Sequence, residues 1–377
     1  MAVGRFVTID EDGTDWFMKN ILIFGYFGVG NLGDEANLQR LIKLLREINL
    51  RNKITVISAD PGCTSQAYNV TAVGKFNLYG IIKAMTKADL LIGNGGSHFQ
   101  DMTGKRSLLY YSGLVFIAKC LKVRVLLYGQ GIGPLRSRIG RFLAGRVLSM
   151  ADLITVRDRF SIVALAELNV RKPEIHFTAE PLLASNGVEP LLVRKYWQQR
   201  EEGKQIKLGL IIRDFRFIKK ALWDRLLDCL SWDSKIETYL IPVQPLKDSE
   251  FLQEFSAKYD LKILNTDAGW EGLQQLIGGL DLLVSVRLHG LVAGVLQGVP
   301  CYGLAADPKV EGFCLQLGIP FTLLTFETGW MEIYNKVTNF LGKASEDCLA
   351  YKAKLPFWKA RALENQIVLK QYLNKSE

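Results

Sequence analysis

Short apolar runs punctuate the chain, and most are followed by a stretch whose apolar positions have helical spacing. The runs at 20–25, 53–59, 88–92, 123–128 and 151–156 are rich in Ile, Leu and Val and hold at most one charge each. Such runs predict strands buried on both faces, as in a parallel sheet. Helical periodicity lies between them, up to about 47 and over 78–87 and 106–121. The rhythm breaks at 184–205, where small and polar residues lead into a charged stretch, and this predicts a linker. It resumes with strands at 208–212, 238–241, 261–264, 280–285 and 301–304, and helices at 219–230 and 270–278.

The pattern predicts an α/β chain of two halves: a domain over 18–185 and a second over 206–350. A basic helix over 351–377 follows, with six Lys/Arg against two Glu. That helix either packs back on the N-terminal half or lies on an anionic membrane surface. Residues 1–17 are polar and acidic and are expected to lie outside the fold, without the features of a signal peptide. Two α/β halves joined by one linker are expected to leave a cleft between the carboxyl edges of their parallel sheets.

Candidate chemistry gathers at the strand ends. The run Leu282-Leu283-Val284-Ser285 is followed by Val286-Arg287-Leu288-His289, and then by an apolar helix. Arg287 and His289 therefore stand where a strand yields to a helix, the usual ligand edge of an open α/β sheet. The next strand delivers Asp307 and Lys309 to a neighbouring loop. Arg, His and Lys on two adjacent edge loops favour an anion site over isolated strand endings. Near the N-terminus, Gly28, Gly30 and Gly33 spell a GxGxxG between a strand and a helix. Asp34 and Glu35 follow at the helix start, where they would repel a pyrophosphate. The loop suits a hydroxyl-rich ligand held by Asn31 and Asp34, although Asp34 could equally cap the helix. Asn94 and Gln130 lie in two further glycine-rich loops, and Arg157-Asp158 ends a fifth apolar run.

The composition narrows the classes. The chain has 377 residues, 49% hydrophobic and 23% charged, with a formal charge of +9. That charge suits anionic substrates or an anionic surface, but no nucleic-acid-binding pattern accompanies it. The six cysteines are scattered, with no CxxC and no zinc spacing, which fits reduced thiols and a cytoplasmic location. The apolar stretch 281–306 contains Arg287, His289 and several Gly and Pro, so a membrane span is not expected there.

Six ordered motifs together resemble the polysaccharide pyruvyl transferases (CsaB-like). They are Gly25 to Ala36, Gln100-Asp101 with Arg106 to Tyr111, Gly129 to Leu135, Val156-Arg157-Asp158, Ser285 to His289, and Asp307-Pro308-Lys309. The resemblance runs from about 18 to 320. It implies two facing Rossmann-like domains of the GT-B type. It also implies transfer of pyruvate from phosphoenolpyruvate to two hydroxyls of a hexose, in a polysaccharide or its lipid-linked precursor, at the cytoplasmic membrane face. No metal or other cofactor is implied. Carried over, His289 is the acid/base residue, and Arg157, Arg287 and Lys309 hold the donor. Asn31, Asp34, Asn94, Gln130, Ser285 and Asp307 are the expected substrate contacts. The chain departs from the pattern at His98 and Phe99, where apolar residues are usual, at Glu180, where Asp is common, and at Asn37, where an aliphatic residue is usual. These departures bear on the acceptor rather than the donor. The rival readings are a GT-B nucleotide-sugar glycosyltransferase and a non-catalytic glycan- or anion-binding protein.

Overall fold

The structure is a computed structural model that describes residues 7–9, 15–17, 19–102, 104–197, 205–215, 217–341 and 344–374. Its contacts divide the chain into two units. The first comprises residues 1–29, 34–184 and 360–377, and the second comprises Gly30–Gly33 and Ser185–Lys359. Of the stretch expected outside the fold, 7–9 and 15–17 are described. They form a small antiparallel pair, β1 (Val7–Ile9) and β2 (Asp15–Phe17), and the rest of 1–17 lies outside the described residues.

The first unit is built on a parallel sheet. Its strands in chain order are β3 (Asn20–Phe24), β4 (Lys53–Ser58), β5 (Thr71–Gly74), β6 (Leu90–Asn94), β7 (Arg124–Gln130), β8 (Leu153–Val156) and β9 (Glu174–Phe177). Their spatial order is β5-β4-β3-β6-β7-β8-β9. The connecting helices are α1 (Leu32–Ile48), α2 (Pro61–Tyr68), α3 (Leu78–Met85), α4 (Lys105–Cys120), α5 (Arg138–Leu148) and α6 (Arg159–Glu167). Both sheet faces are covered, which is why the strands read as unbroken apolar runs. Leu22, Phe24, Leu91 and Leu127 pack under α3 to α6. Ile21, Ile23, Val56 and Ile92 pack under α1, whose Leu38, Leu41, Ile42 and Leu45 form its buried stripe. Asp34 and Glu35 in the first turn and Arg46 in the last complement the α1 dipole.

The second unit opens with α7 (Pro190–Trp197), inside the stretch expected as a linker. Val193 and Trp197 give it a buried face, lying against Gly278 and Gly279. Its strands are β10 (Ile206–Ile211), β11 (Ile236–Leu240), β12 (Lys262–Ile263), β13 (Leu282–Ser285), β14 (Cys301–Ala305) and β15 (Phe321–Leu323), in spatial order β12-β11-β10-β13-β14-β15. All pairings in this sheet are parallel. The helices are α8 (Lys220–Trp232), α9 (Pro245–Tyr259), α10 (Gly269–Gly278), α11 (Leu288–Gln297), α12 (Pro308–Leu317) and α13 (Trp330–Leu341). The last helix, α14 (Ala344–Asn374), starts before the expected tail. Its Tyr351 and Trp358 bond carbonyls of Val299 and Gln316 in the second unit. Beyond residue 360 it belongs to the first unit, where Val368, Leu369 and Leu373 join the core under β3. The described part of the tail therefore packs. No helix among the described residues is long and apolar enough to cross a membrane.

Strand order reverses between β3 and β6 in the first sheet and between β10 and β13 in the second. At such points the loops leaving neighbouring strands diverge and open a crevice at the carboxyl edge. The loops after β3, β6 and β13 are those the sequence marked by chemistry.

Candidate active site

In the first unit the switch point carries a buried polar network. Arg157, at the end of β8, is 3% exposed. Its Nη1 donates to Glu180 Oε2 at 2.8 Å and its Nη2 to Ser97 Oγ at 3.1 Å. Burial alone would weaken its charge. Glu180, Asp158 and Asp34 outweigh that and hold the guanidinium protonated, above its ordinary range. The other Glu180 oxygen accepts from Asn37 Nδ2 at 3.0 Å. Thus two of the positions that depart from the family pattern, Asn37 and Glu180, are bonded to each other. The longer Glu side chain spans from Arg157 to an amide where an aliphatic residue is usual. Asp158 caps α6 by accepting from Ser161 N at 2.8 Å.

A third departure, His98, adjoins the same loops. Gln130 Nε2 donates to the carbonyls of Gly93 and Gly95 at 2.9 and 2.8 Å. Gln130 Oε1 is then left as the acceptor for His98 Nδ1, 3.1 Å away. The network therefore assigns the proton to Nδ1 and leaves the Nε2 lone pair, which is buried without a hydrogen-bond partner. The ring packs against both Phe24 and Tyr111, its centroid 4.4 Å from that of Tyr111. Burial drives its pKa down to about 4, with the charge of Arg157 acting the same way and the Gln130 bond opposing. The unfolded chain binds this proton near 6.5, so stability is expected to fall as pH drops from about 6.5 towards 4. Chemical denaturation across that window should show the slope in the parent and a shallower one in His98→Phe. An equal slope in both would remove His98 as its source.

Asn94 ends β6 fully buried, and neither end of its amide has a hydrogen-bond partner. Asn37 Oδ1 is likewise unpartnered. Orphaned buried amides are costly, so Asn94 is the expected substrate contact here with the most unused bonding capacity. Gln130 is different, because its amide hydrogens are spent on the backbone. The glycine loop after β3 is braced internally. Glu35 Oε1 accepts the Gly28 amide at 2.8 Å and its Oε2 accepts the Tyr68 hydroxyl at 2.8 Å. The first amide of the GxGxxG is thus bonded to a carboxylate. Gly28 has φ +71°, and a Cβ there would meet the Asp60 amide nitrogen at 2.4 Å. Glycine is required by both conformation and space.

In the second unit, Arg287 is the N-cap residue of α11 and His289 lies in its first turn. Both are 9% exposed. An Arg287 Nη2 hydrogen bonds Asp248 Oδ1, and Asp248 Oδ2 accepts the Gln244 amide at 2.9 Å. Arg287 is thus anchored by a carboxylate of α9, while its Nε has no partner in the structure. Ser285 holds the turn: its hydroxyl donates to Arg287 O and accepts from Arg287 N at 2.8 and 3.0 Å. Asp307 caps α12 through Lys309 N, and its Oδ2 lies 3.1 Å from Lys309 Nζ, both side chains being about one-third exposed. Asn31 Oδ1 accepts the Gly33 amide at 3.3 Å. Gly33, which groups with this unit, faces the His289 ring so closely that a Cβ would lie 1.9 Å from Nδ1.

Two clusters result. The first unit gathers Asp34, Asn94, Gln130 and Arg157, and the second gathers Ser285, Arg287, His289, Asp307, Lys309 and Asn31. Sequence reasoning missed Asp248, because α9 carries no motif and its partner is 39 residues away. It also missed Arg213 and Asp214, which follow β10 at the second switch point. Their place in a βα loop was the available signal.

A family model described as polysaccharide pyruvyl transferase matches residues 31–308, most of the chain. No curated protein matches the sequence. Among solved structures, Anabaena Alr3699/HepE in complex with UDP is similar with a TM-score of 0.64 at 14% identity, covering 95% of this chain and 100% of that one. A putative UDP-N-acetylglucosamine 2-epimerase from Listeria monocytogenes gives a TM-score of 0.67 at 8% identity, covering 96% and 98%. The S. aureus MnaA-UDP co-structure gives 0.66 at 11%, covering 95% and 97%. At these identities the likeness establishes the fold, two Rossmann-like domains of the GT-B kind.

Proposed function

The chain belongs to the polysaccharide pyruvyl transferase family, and from that premise we propose that it moves pyruvate from phosphoenolpyruvate onto two hydroxyls of a hexose, releasing phosphate. The observation that carries the reading is the position of Arg287 and His289 at the switch point of the second sheet, inside the matched region. Phosphoenolpyruvate presents a carboxylate and a phosphate, and guanidinium forks suit both. Arg287 is held by Asp248 with its Nε still unbonded, so it is oriented before the donor arrives. Protonation of the donor methylene makes the adjacent carbon electrophilic. One sugar hydroxyl adds there, its proton balancing the one delivered to the methylene. The second hydroxyl displaces phosphate and closes the ketal, and its proton leaves with phosphate or solvent. His289 is the group proposed to carry these protons. Lys309 is proposed to meet the departing phosphate, and no metal or other cofactor is invoked. Asp34 and Asn94 are proposed on the acceptor side, and Arg157 is proposed as a further cation for the donor.

The reading places the enzyme in polysaccharide synthesis on the cytoplasmic side, with a sugar or lipid-linked sugar as acceptor. A nucleotide-sugar reading draws support from the UDP-bound relatives in fold. The Gly28 amide bonded to Glu35 counts against a phosphate on the first glycine loop. The deciding experiment measures phosphate release from phosphoenolpyruvate with a panel of aryl and lipid-linked hexosides, alongside thermal shifts with phosphoenolpyruvate, UDP and GDP. Sugar-dependent release with a phosphoenolpyruvate shift is expected. A UDP or GDP shift without a phosphoenolpyruvate response would transfer the assignment to glycosyl transfer. Binding of phosphoenolpyruvate without release on any acceptor would favour a non-catalytic role.

A further inference from the structure

Helices α3, α4 and α5 share one face of the first sheet, and their outer sides are unusual. Their inner sides supply Ile81 and Met85, Leu108, Leu114 and Val115, and Ala144 and Val147 to one core. Their opposite sides therefore point away from the sheet together. Tyr110 of α4 donates to the Lys75 carbonyl at 2.9 Å, which fixes the start of α3 beside α4.

Large apolar side chains stand on that outer surface. Phe76 is 85% exposed, Tyr79 77% and Ile139 75%, with Leu109, Phe116 and Phe142 also exposed. On α4, Leu109 and Phe116 repeat at helical spacing opposite the buried stripe, so the face is continuous along the helix. Isolated exposed apolar residues are ordinary, but a group of this size on adjoining helices marks an interaction surface.

Charge selects the partner. The three helices contain no Asp or Glu at all, and carry Lys83, Arg106, Lys119, Arg138, Arg141 and Arg146. Neighbouring carboxylates are engaged. Asp152 pairs with Lys119 and Glu167 with Arg141, while Asp101 accepts from Arg136 and Ser137. Cations also lie against the exposed rings. Arg146 is 5.3 Å from the Phe142 ring and Lys75 is 5.1 Å from that of Phe76. A protein partner would be expected to face some complementary charge of both signs. Aromatic and aliphatic tips amid an excess of cations match the interface of a bilayer with anionic headgroups, where rings enter the acyl boundary and Lys/Arg reach phosphate.

We infer that the α3–α5 surface of the first unit docks reversibly on an anionic lipid bilayer. The inference stands on this surface alone and holds whichever transferase reaction the chain performs. If the acceptor is lipid-linked, the surface brings the first unit to the substrate.

The test is flotation of the full chain with phosphatidylcholine vesicles, with or without phosphatidylglycerol, at low and high salt. Two variants accompany it, one with Phe76→Ser, Tyr79→Ser and Phe142→Ser, the other with Arg138→Glu and Arg146→Glu. The parent is expected to partition onto phosphatidylglycerol vesicles in a salt-sensitive way. Each variant should lose about tenfold or more in partition, while its circular dichroism stays that of the parent. Equal binding to both vesicle types, no binding, or binding unchanged in both variants would each overturn the inference. So would a dimer of the parent that both variants convert to monomer, because the surface would then belong to a second copy of the chain. Partition is read without turnover, so this result and the phosphate-release result fail separately.

Discussion

His289→Asn is expected to lower kcat for sugar-dependent phosphate release by roughly 10²–10⁴-fold, the usual contribution of a positioned acid/base group. The KM for phosphoenolpyruvate should change far less, because the cations proposed to hold the donor remain. His289 sits in the first turn of α11, directly after the β13 turn that Ser285 ties to Arg287 through both backbone groups. The turn does not depend on the imidazole, so asparagine should leave it formed. Rate profiles against pH separate the roles. Loss of one limb of the profile in the variant is expected of a proton carrier. An unchanged kcat with a raised KM would make His289 a binding group, and the acid/base assignment would fall.

Arg157→Ala is expected to destabilise the protein by about 3–5 kcal/mol, the cost of breaking a buried ion pair from one side. The guanidinium is buried and holds Glu180, while Asp158 and Asp34 also favour its charge. Truncation takes the guanidinium away from the buried Glu180 carboxylate, which keeps its bond from Asn37. It also strips Ser97 Oγ of a donor. Replacing both partners, Arg157→Met with Glu180→Gln, removes the stranded charge and should recover a large part of the loss. Urea unfolding of Arg157→Met, of Glu180→Gln and of the pair measures the coupling, with Arg157→Ala alongside. A loss below about 1 kcal/mol in Arg157→Ala would show that the network is far more solvated than its geometry indicates. Arg157 therefore anchors the first unit as well as being proposed to hold the donor, and its effects on activity need the stability measurement beside them.

The parts of the fold legible in the sequence are those where burial is two-sided. Strands β3, β6, β7 and β13 are apolar along most of their length and lead into loops of small, polar or charged residues, so their positions and edge loops could be read directly. The edge strands β5 and β9 could not, because Thr71–Gly74 and Glu174–Phe177 are half-exposed and lack the apolar run. The segment 184–205 was read as a linker on its polar composition. Helix α7 forms there because Val193 and Trp197 find a surface to pack on, a long-range fact. Lys309 and Asp307 were legible as chemistry, but not as a cap and its pair. Gln130 was expected in a loop and stands at the end of β7, held by two carbonyls. Asn37 and Glu180 were visible only as departures. Their bond joins residues 143 positions apart, and nothing local announces it. The proton position on His98 follows from geometry through Gln130, which no spacing in the chain encodes.

Helix α14 carries a consequence for synthesis on the ribosome. Asn365 is fully buried in the first unit, accepting the Thr155 and Thr178 hydroxyls and donating to the Ala179 carbonyl. Leu369 and Leu373 close the core beneath β3. Residues 20–184 therefore emerge from the exit tunnel well before the segment that seals them. Ser185–Lys359 is continuous apart from the four residues Gly30–Gly33, already made by then. Translation order thus lets the later-made unit finish first. The earlier one waits, with an apolar groove on its α1 face open, for the turns of α14 beyond residue 360.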